Sequence, residues 1–224
     1  MKKLYVLLII LISMVLLNGC GKKQESAGND SRTDESVKKE QSKDVAVNEN
    51  TSYHVTYKMD KEGSGMTMDL YRKGNKAKSE ITSKAGNDEM KASAYYADKV
   101  VYTISEIMGQ RIGFKMDLNE MKGKDDKNFG KEMFDAKDHL KDYEKTGKGD
   151  VLGYSCDIYK DKEGNQYYFY KDVVMLKVIT QHGSMEATKF EPDVKLEDKF
   201  FDPPKDVDYT NPGDMDLSKF KMPK

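Results

Sequence analysis

The sequence contains no tryptophan and few arginines among its 224 residues. Arginine occurs only at Arg32, Arg72 and Arg111, so few side chains could bind a phosphate group in a bidentate manner. The formal net charge is −1, which argues against nucleic acid as a partner because binding to its backbone depends on clustered positive charge. No apolar run reaches the roughly 20 residues that a membrane-spanning helix needs.

The chain also lacks the residue patterns of an enzyme or a metal site. His54, His139 and His182 are far apart in the sequence and show no metal-ligand spacing, so each is interpreted as a surface residue. Cys156 has no accompanying base that would indicate a nucleophile, and Met66-Thr67-Met68 lacks the adjacent histidine or cysteine of a copper site. We therefore expect no enzymatic activity, no metal and no other cofactor.

One apolar run does stand out, at the amino terminus. Two lysines precede an almost wholly apolar stretch from Leu4 to Leu17, and Asn18, Gly19 and Cys20 follow it. This segment resembles the signal peptide and lipobox of a bacterial lipoprotein. The resemblance implies cleavage between Gly19 and Cys20 and attachment of a diacylglycerol to the Cys20 thiol. The alternative is an uncleaved anchor, but 14 residues are short for a bilayer.

Lipidation at Cys20 would anchor the protein to the cell membrane on its extracytoplasmic side, because two acyl chains are enough for stable anchoring. We expect residues 1–19 to be the signal peptide and residues 20–50 to be the lipidated cysteine and a disordered tether, since Gly21 to Asn50 contain no aromatic residue and cannot bury enough apolar surface to fold. Residues 51–224 would form one domain. Lipidation leaves Cys156 as the single thiol, which excludes a disulfide within the chain.

The domain is predicted to be mainly β. Apolar and polar residues alternate from Tyr53 to Met59 and again from Met66 to Leu70, which is typical of a hairpin with one apolar face. Further alternating segments, separated by short turns, predict an antiparallel meander. They lie at 77–81, 90–96, 100–104, 112–116, 152–158, 167–170, 173–180 and 185–190.

One helix is predicted between the two groups of strands. Phe129, Met133, Ala136, Leu140 and Tyr143 recur at spacings of three and four, which places them on one face of a helix. Such a helix could lie as a lid across the concave face of a curved sheet. Alternatively, it simply closes an ordinary core.

The order of these elements resembles the LolA/LolB-like lipoprotein-localisation fold. The resemblance rests on the lipobox, the strand that opens with Gly153-Tyr154-Ser155-Cys156, and the closing segment Phe200-Phe201-Asp202-Pro203-Pro204. It implies a curved antiparallel sheet or incomplete barrel, with a helical lid, around an apolar cavity. Members of that family carry or receive the acyl chains of lipoproteins, and others are envelope-stress sensors or lipid carriers. The absence of tryptophan and the short helical insertion depart from the family pattern.

Two functions remain open at this point. The first is binding of a hydrophobic ligand, a lipid or an acyl chain, in the concave face of the sheet. The second is a regulatory or adaptor role in which the lipoprotein binds another envelope protein and holds no small ligand. Inward methionines suit either a cavity for acyl chains or an ordinary core. The residues predicted to line the cavity are Tyr57, Met66, Met68, Leu70, Met90, Ile104, Phe114, Met116, Phe129, Met133, Leu140 and Cys156.

Overall fold

The structure is a computed structural model, and it describes residues 43–61, 64–85, 88–97, 99–107, 110–117 and 140–211. These residues belong to one compact unit. The signal peptide, Cys20, most of the tether and residues 129–139 of the predicted helix lie outside the described residues. Within the described part of the chain, no helix is long and apolar enough to cross a membrane.

The described residues form one sheet of twelve strands. Alternating apolar residues in most of these strands explain why they form a sheet with one buried side. The strands are β1 (Tyr53–Lys61), β2 (Ser64–Lys73), β3 (Lys76–Ala85), β4 (Asp88–Ala97), β5 (Val100–Ile107), β6 (Gln110–Asp117), β7 (Glu144–Val151), β8 (Tyr154–Lys160), β9 (Gln166–Tyr170), β10 (Val174–Thr180), β11 (Gly183–Pro192) and β12 (Tyr209–Thr210).

The strand order is β12-β6-β5-β4-β3-β2-β1-β11-β10-β9-β8-β7. Ten of the eleven neighbouring pairs are antiparallel, whereas β12 runs parallel to β6. The prediction of a mainly β, largely antiparallel fold is therefore confirmed. The sheet is nevertheless mixed, and it is not closed into a barrel, because β7 and β12 form its two ends.

One side of the sheet, which we call the inner face, carries the main hydrophobic core. Val55, Tyr57, Cys156 and Leu176 belong to this core and are at most 1% exposed. The sheet curves strongly around them, since the ring of Tyr154 on β8 lies 5.1 Å from that of Phe190 on β11 although β9 and β10 separate the two strands. The strands β1 and β7–β11 thus pack their inner faces against one another.

The amino-terminal segment, residues 43–51, is bound to this core. The Lys43 amide donates to the Gly153 carbonyl at 2.8 Å. The Tyr170 hydroxyl donates to the Val45 carbonyl and accepts from the Val45 amide, each at 2.7 Å. The side chain of Val45 also packs against the core. Residues 43–51 are therefore attached to the same compact unit as the strands.

The opposite side, the outer face, is covered at β3–β6 by the carboxy-terminal segment, residues 193–210. This segment contains a 3₁₀ helix at Asp198–Phe201, where Phe201 is fully buried. Val207 packs with Tyr95 and Ile104 of the outer face. The segment ends as β12, whose Tyr209 pairs with Gly113 of β6. The Phe-Phe-Asp-Pro-Pro sequence is therefore part of a segment that crosses the outer face of the sheet.

Candidate functional site

The inner face of β2–β6 carries a largely apolar surface, interrupted by Ser79, Ser83, Thr103 and Ser105, which we call the apolar patch. The strand register places Leu70, Ser79, Ala94, Thr103 and Phe114 directly opposite one another in successive strands. Because side chains alternate along a strand, every second residue on each side of this row shares the same face. The apolar members of the patch are Met66, Met68, Leu70, Ile81, Met90, Ala92, Ala94, Val101, Ile112, Phe114 and Met116.

Most of the patch is half-buried. Part of the side chain is exposed to solvent in Met68, Ile81, Met90 and Met116, whereas Met66 is buried. Among the residues that the structure describes, the 3₁₀ helix makes the main contacts with β3 and β4 from outside the sheet, and it lies on the outer face. At β2 the patch adjoins the main core, because Met68 and Leu70 pack against it.

Six predicted cavity residues lie together on this patch: Met66, Met68, Leu70, Met90, Phe114 and Met116. Tyr57 and Cys156 share the inner face, but they are packed inside the main core and line no open space. Ile104 lies on the outer face, under the carboxy-terminal segment. Apolar and polar residues alternate along the strand of Ile104, which predicts a buried side, but alternation cannot tell which of two covered faces a residue occupies.

The remaining predicted residues belong to the helical segment. Phe129 and Met133 lie outside the described residues. Leu140 is half-buried, and its carbonyl accepts a hydrogen bond from the Tyr143 amide at 3.4 Å just before β7 begins. The Tyr143 ring stacks on that of Tyr167 at 5.0 Å, so the carboxyl end of this segment rests on β9.

The Cys156 thiol is structural. The residue is 0% exposed, and its Sγ donates to the Tyr154 carbonyl at 3.4 Å. Burial raises the pKa of the Cys156 thiol to about 12. At neutral pH the thiolate, which is the reactive form, is therefore scarce.

The interpretation of His54 as a surface residue is wrong. Its ring is 11% exposed and lies between two carboxylates, with Nδ1 2.9 Å from Glu191 Oε2 and Nε2 2.8 Å from Asp69 Oδ1. It also stacks on Tyr71, with ring centroids 4.3 Å apart. The two carboxylates come from β2 and β11, which flank β1 on either side, so their approach depends on strand order that the sequence does not reveal.

Arg72 is the residue of the inner face that the sequence analysis missed. It follows Met66, Met68 and Leu70 in the same alternation along β2 and is 8% exposed. Its Nε donates to the Gly74 carbonyl at 3.1 Å. The period-two pattern contained the signal, because an arginine at the next inward position of an apolar strand face is expected to be buried.

A surface depression elsewhere in the described residues differs from the predicted apolar cavity. It has a volume of about 370 Å³ and lies where β1 begins and β11 ends. Its lining is polar and consists of Asn48, Asn50, Thr51, Ser52, Asp193 and Val194. No group of three or more histidine, cysteine or acidic residues in the described part of the chain is arranged to hold a metal ion.

A scan of protein-family models and a search of curated proteins gave no match to this chain. Similar folds occur among solved structures. The match to a chain of the MucA/MucB complex of Pseudomonas aeruginosa covers 72% of this chain and 59% of that chain, with 10% identity and a TM-score of 0.44. PNGF-II, in its C2 crystal form, matches 72% of this chain with 12% identity and a TM-score of 0.41. This chain spans about a third of PNGF-II, 31% of its length.

Proposed function

We propose that the protein is a membrane-anchored extracytoplasmic lipoprotein whose LolA/LolB-like domain binds the acyl chain of a lipid on the apolar patch. The single observation that carries this proposal is the largely apolar inner face of β2–β6, most of which is only half-buried. The lipobox ending at Cys20 supplies the anchor.

Transfer of an acyl chain from water to the patch would be driven by the hydrophobic effect. Each buried methylene contributes about 0.8 kcal/mol, so eight methylenes would contribute about 6 kcal/mol before the cost of ordering the chain. Met66 and Met68 lie on β2 of the patch, and Met90 lies on β4, with β3 between the two strands. Their flexible side chains can adapt to acyl chains of different shapes.

A matched pair of variants on β2 tests this proposal. Met68 lies on the patch, whereas Thr67, its neighbour in sequence, is exposed on the outer face. We expect Met68→Lys to abolish the uptake of a fluorescent fatty acid by residues 20–224 with Cys20→Ser, because a charge would have to be desolvated against the acyl chain. Thr67→Lys should bind the probe as the unsubstituted chain does.

The protein should begin at residue 20 in this experiment, because residues 43–51 pack against the core. Circular dichroism must show that both variants retain the β fold. Equal binding by the two variants, or no binding by the unsubstituted chain, would contradict the proposal. In the second case, the patch would be the surface to test for contact with another envelope protein.

A further inference from the structure

Arg72 is a buried cation without an anionic partner in the described part of the chain. It is 8% exposed, and no described carboxylate forms an ion pair with it. Arg111 differs, because it is exposed and its Nη1 pairs with Asp206 Oδ2 at 2.6 Å. Buried charges in proteins are normally paired or fully hydrogen-bonded, since removing them from water is costly. Within the described ranges, the charge of Arg72 is therefore not balanced by a carboxylate.

In the part of the chain that the structure describes, the guanidinium of Arg72 contacts two neutral groups. The group has five N–H donors, and its Nε donates to the carbonyl of Gly74. The Tyr53 hydroxyl lies close enough to interact with it: burial raises the pKa of Tyr53, and the charge and hydrogen bond of Arg72 act in the opposite direction. Both neighbours are neutral at physiological pH. Neither compensates the positive charge.

The charge of Arg72 lies beside the apolar patch. In the strand register, Arg72 lies opposite Tyr53 on one side and Ala77 on the other, and Tyr96 follows on β4. Leu70, two residues earlier on β2, belongs to the apolar patch. A single cation thus lies at one end of an extended apolar surface. This arrangement is complementary to an amphiphile that has one negative charge.

We propose that the ligand of the apolar patch is a long-chain fatty acid whose carboxylate binds the guanidinium of Arg72. This inference rests on the proposed function and adds the class of ligand. A carboxylate has one negative charge, which a single guanidinium balances, and its planar shape suits bidentate contact with arginine. The acyl chain would extend from Arg72 along Leu70 and Met68 across the patch.

The experiment compares oleate with methyl oleate, which has the same chain and no charge. Each displaces Nile red, a neutral dye, from residues 20–224 with Cys20→Ser. We expect oleate to bind at least about tenfold more tightly than methyl oleate, since hydrogen bonds to charged groups are the stronger ones. Arg72→Gln should remove this preference, so that oleate and methyl oleate bind this variant with equal affinity. Arg111→Gln should keep the preference.

The outcomes separate the two proposals. Equal binding of oleate and methyl oleate by the unsubstituted chain would overturn the role of Arg72 and leave the acyl-binding function intact. Absence of binding by both would overturn the proposed function itself. A preference for oleate that survives in Arg72→Gln would also overturn the inference. If Arg72→Gln does not fold, Arg72→Met, which is unbranched and uncharged, replaces it and is held to the same outcomes.

Discussion

Substitution of Gly113 by alanine should detach the carboxy-terminal segment from β6. A Cβ atom at this position would lie 2.5 Å from Cγ1 of Val207 and 2.9 Å from the carbonyl oxygen of Asp208. Carbon atoms in contact are normally about 3.5–4.0 Å apart, so Val207 would have to move by about 1 Å. Since the Asp208 contact involves backbone, a change of rotamer cannot relieve both clashes.

The expected loss of stability combines two effects. Overpacking of this kind costs about 1–3 kcal/mol. Displacement of Val207, which is 8% exposed and packs on Tyr95 and Ile104, would expose apolar surface worth up to about 1.5 kcal/mol. We therefore expect the free energy of unfolding to fall by about 2–4 kcal/mol. For a domain of this size, the melting temperature should fall by about 5–10 °C.

Urea denaturation measures this change, and Gly147→Ala is the matched control. Gly147 lies on the exposed strand β7, and a Cβ there would meet no atom within 4 Å, so its effect should remain within about 0.5 kcal/mol. Hydrogen exchange should also accelerate at residues 206–210 in Gly113→Ala. If the two variants unfold at the same urea concentration, the carboxy-terminal segment does not pack on β6 as described.

Three further predictions concern single side chains. Tyr170→Phe should lower the free energy of unfolding by about 1 kcal/mol and expose the amino-terminal segment to protease, and unchanged cleavage would contradict its role in holding that segment. Hydrogen bonds from Lys189 and then His54 lower the pKa of Glu191, so its contribution to stability is present above its unfolded pKa and is lost as pH falls through the lowered value. Glu191→Gln should therefore weaken the loss of stability below about pH 4.5, and identical acid unfolding curves would refute this. Cys156 should react with a thiol reagent only after unfolding, and rapid reaction of the native protein would contradict its burial.

The alternating strands were predictable because their buried side chains recur every second residue. The segment from Tyr53 to Met59 is an example: its odd positions Tyr53, Val55 and Tyr57 are buried. The strand β7 was missed because its sequence, Glu-Lys-Thr-Gly-Lys-Gly-Asp-Val, lies at the edge of the sheet and is almost wholly exposed. Its side chains have no buried face to produce a pattern, and its charges protect the edge from pairing with another chain.

The candidate site was only partly predictable for a related reason. Local alternation grouped Met66, Met68 and Leu70 correctly, since they follow one another on a single strand. Local alternation could not exclude Ile104. The carboxy-terminal segment buries the outer face of β5, so an apolar residue of that strand can lie on either face. The same alternation extends to Arg72, but the two carboxylates around His54 come from different strands, one of which, β11, is distant in sequence. Such contacts leave no trace in the local pattern.

The most direct test of the acyl-binding account is native mass spectrometry of residues 20–224 with Cys20→Ser after incubation with excess oleate. The account predicts a complex with one bound oleate, present in Thr67→Lys and absent in Met68→Lys. A spectrum that contains only the mass of the free protein would contradict the account.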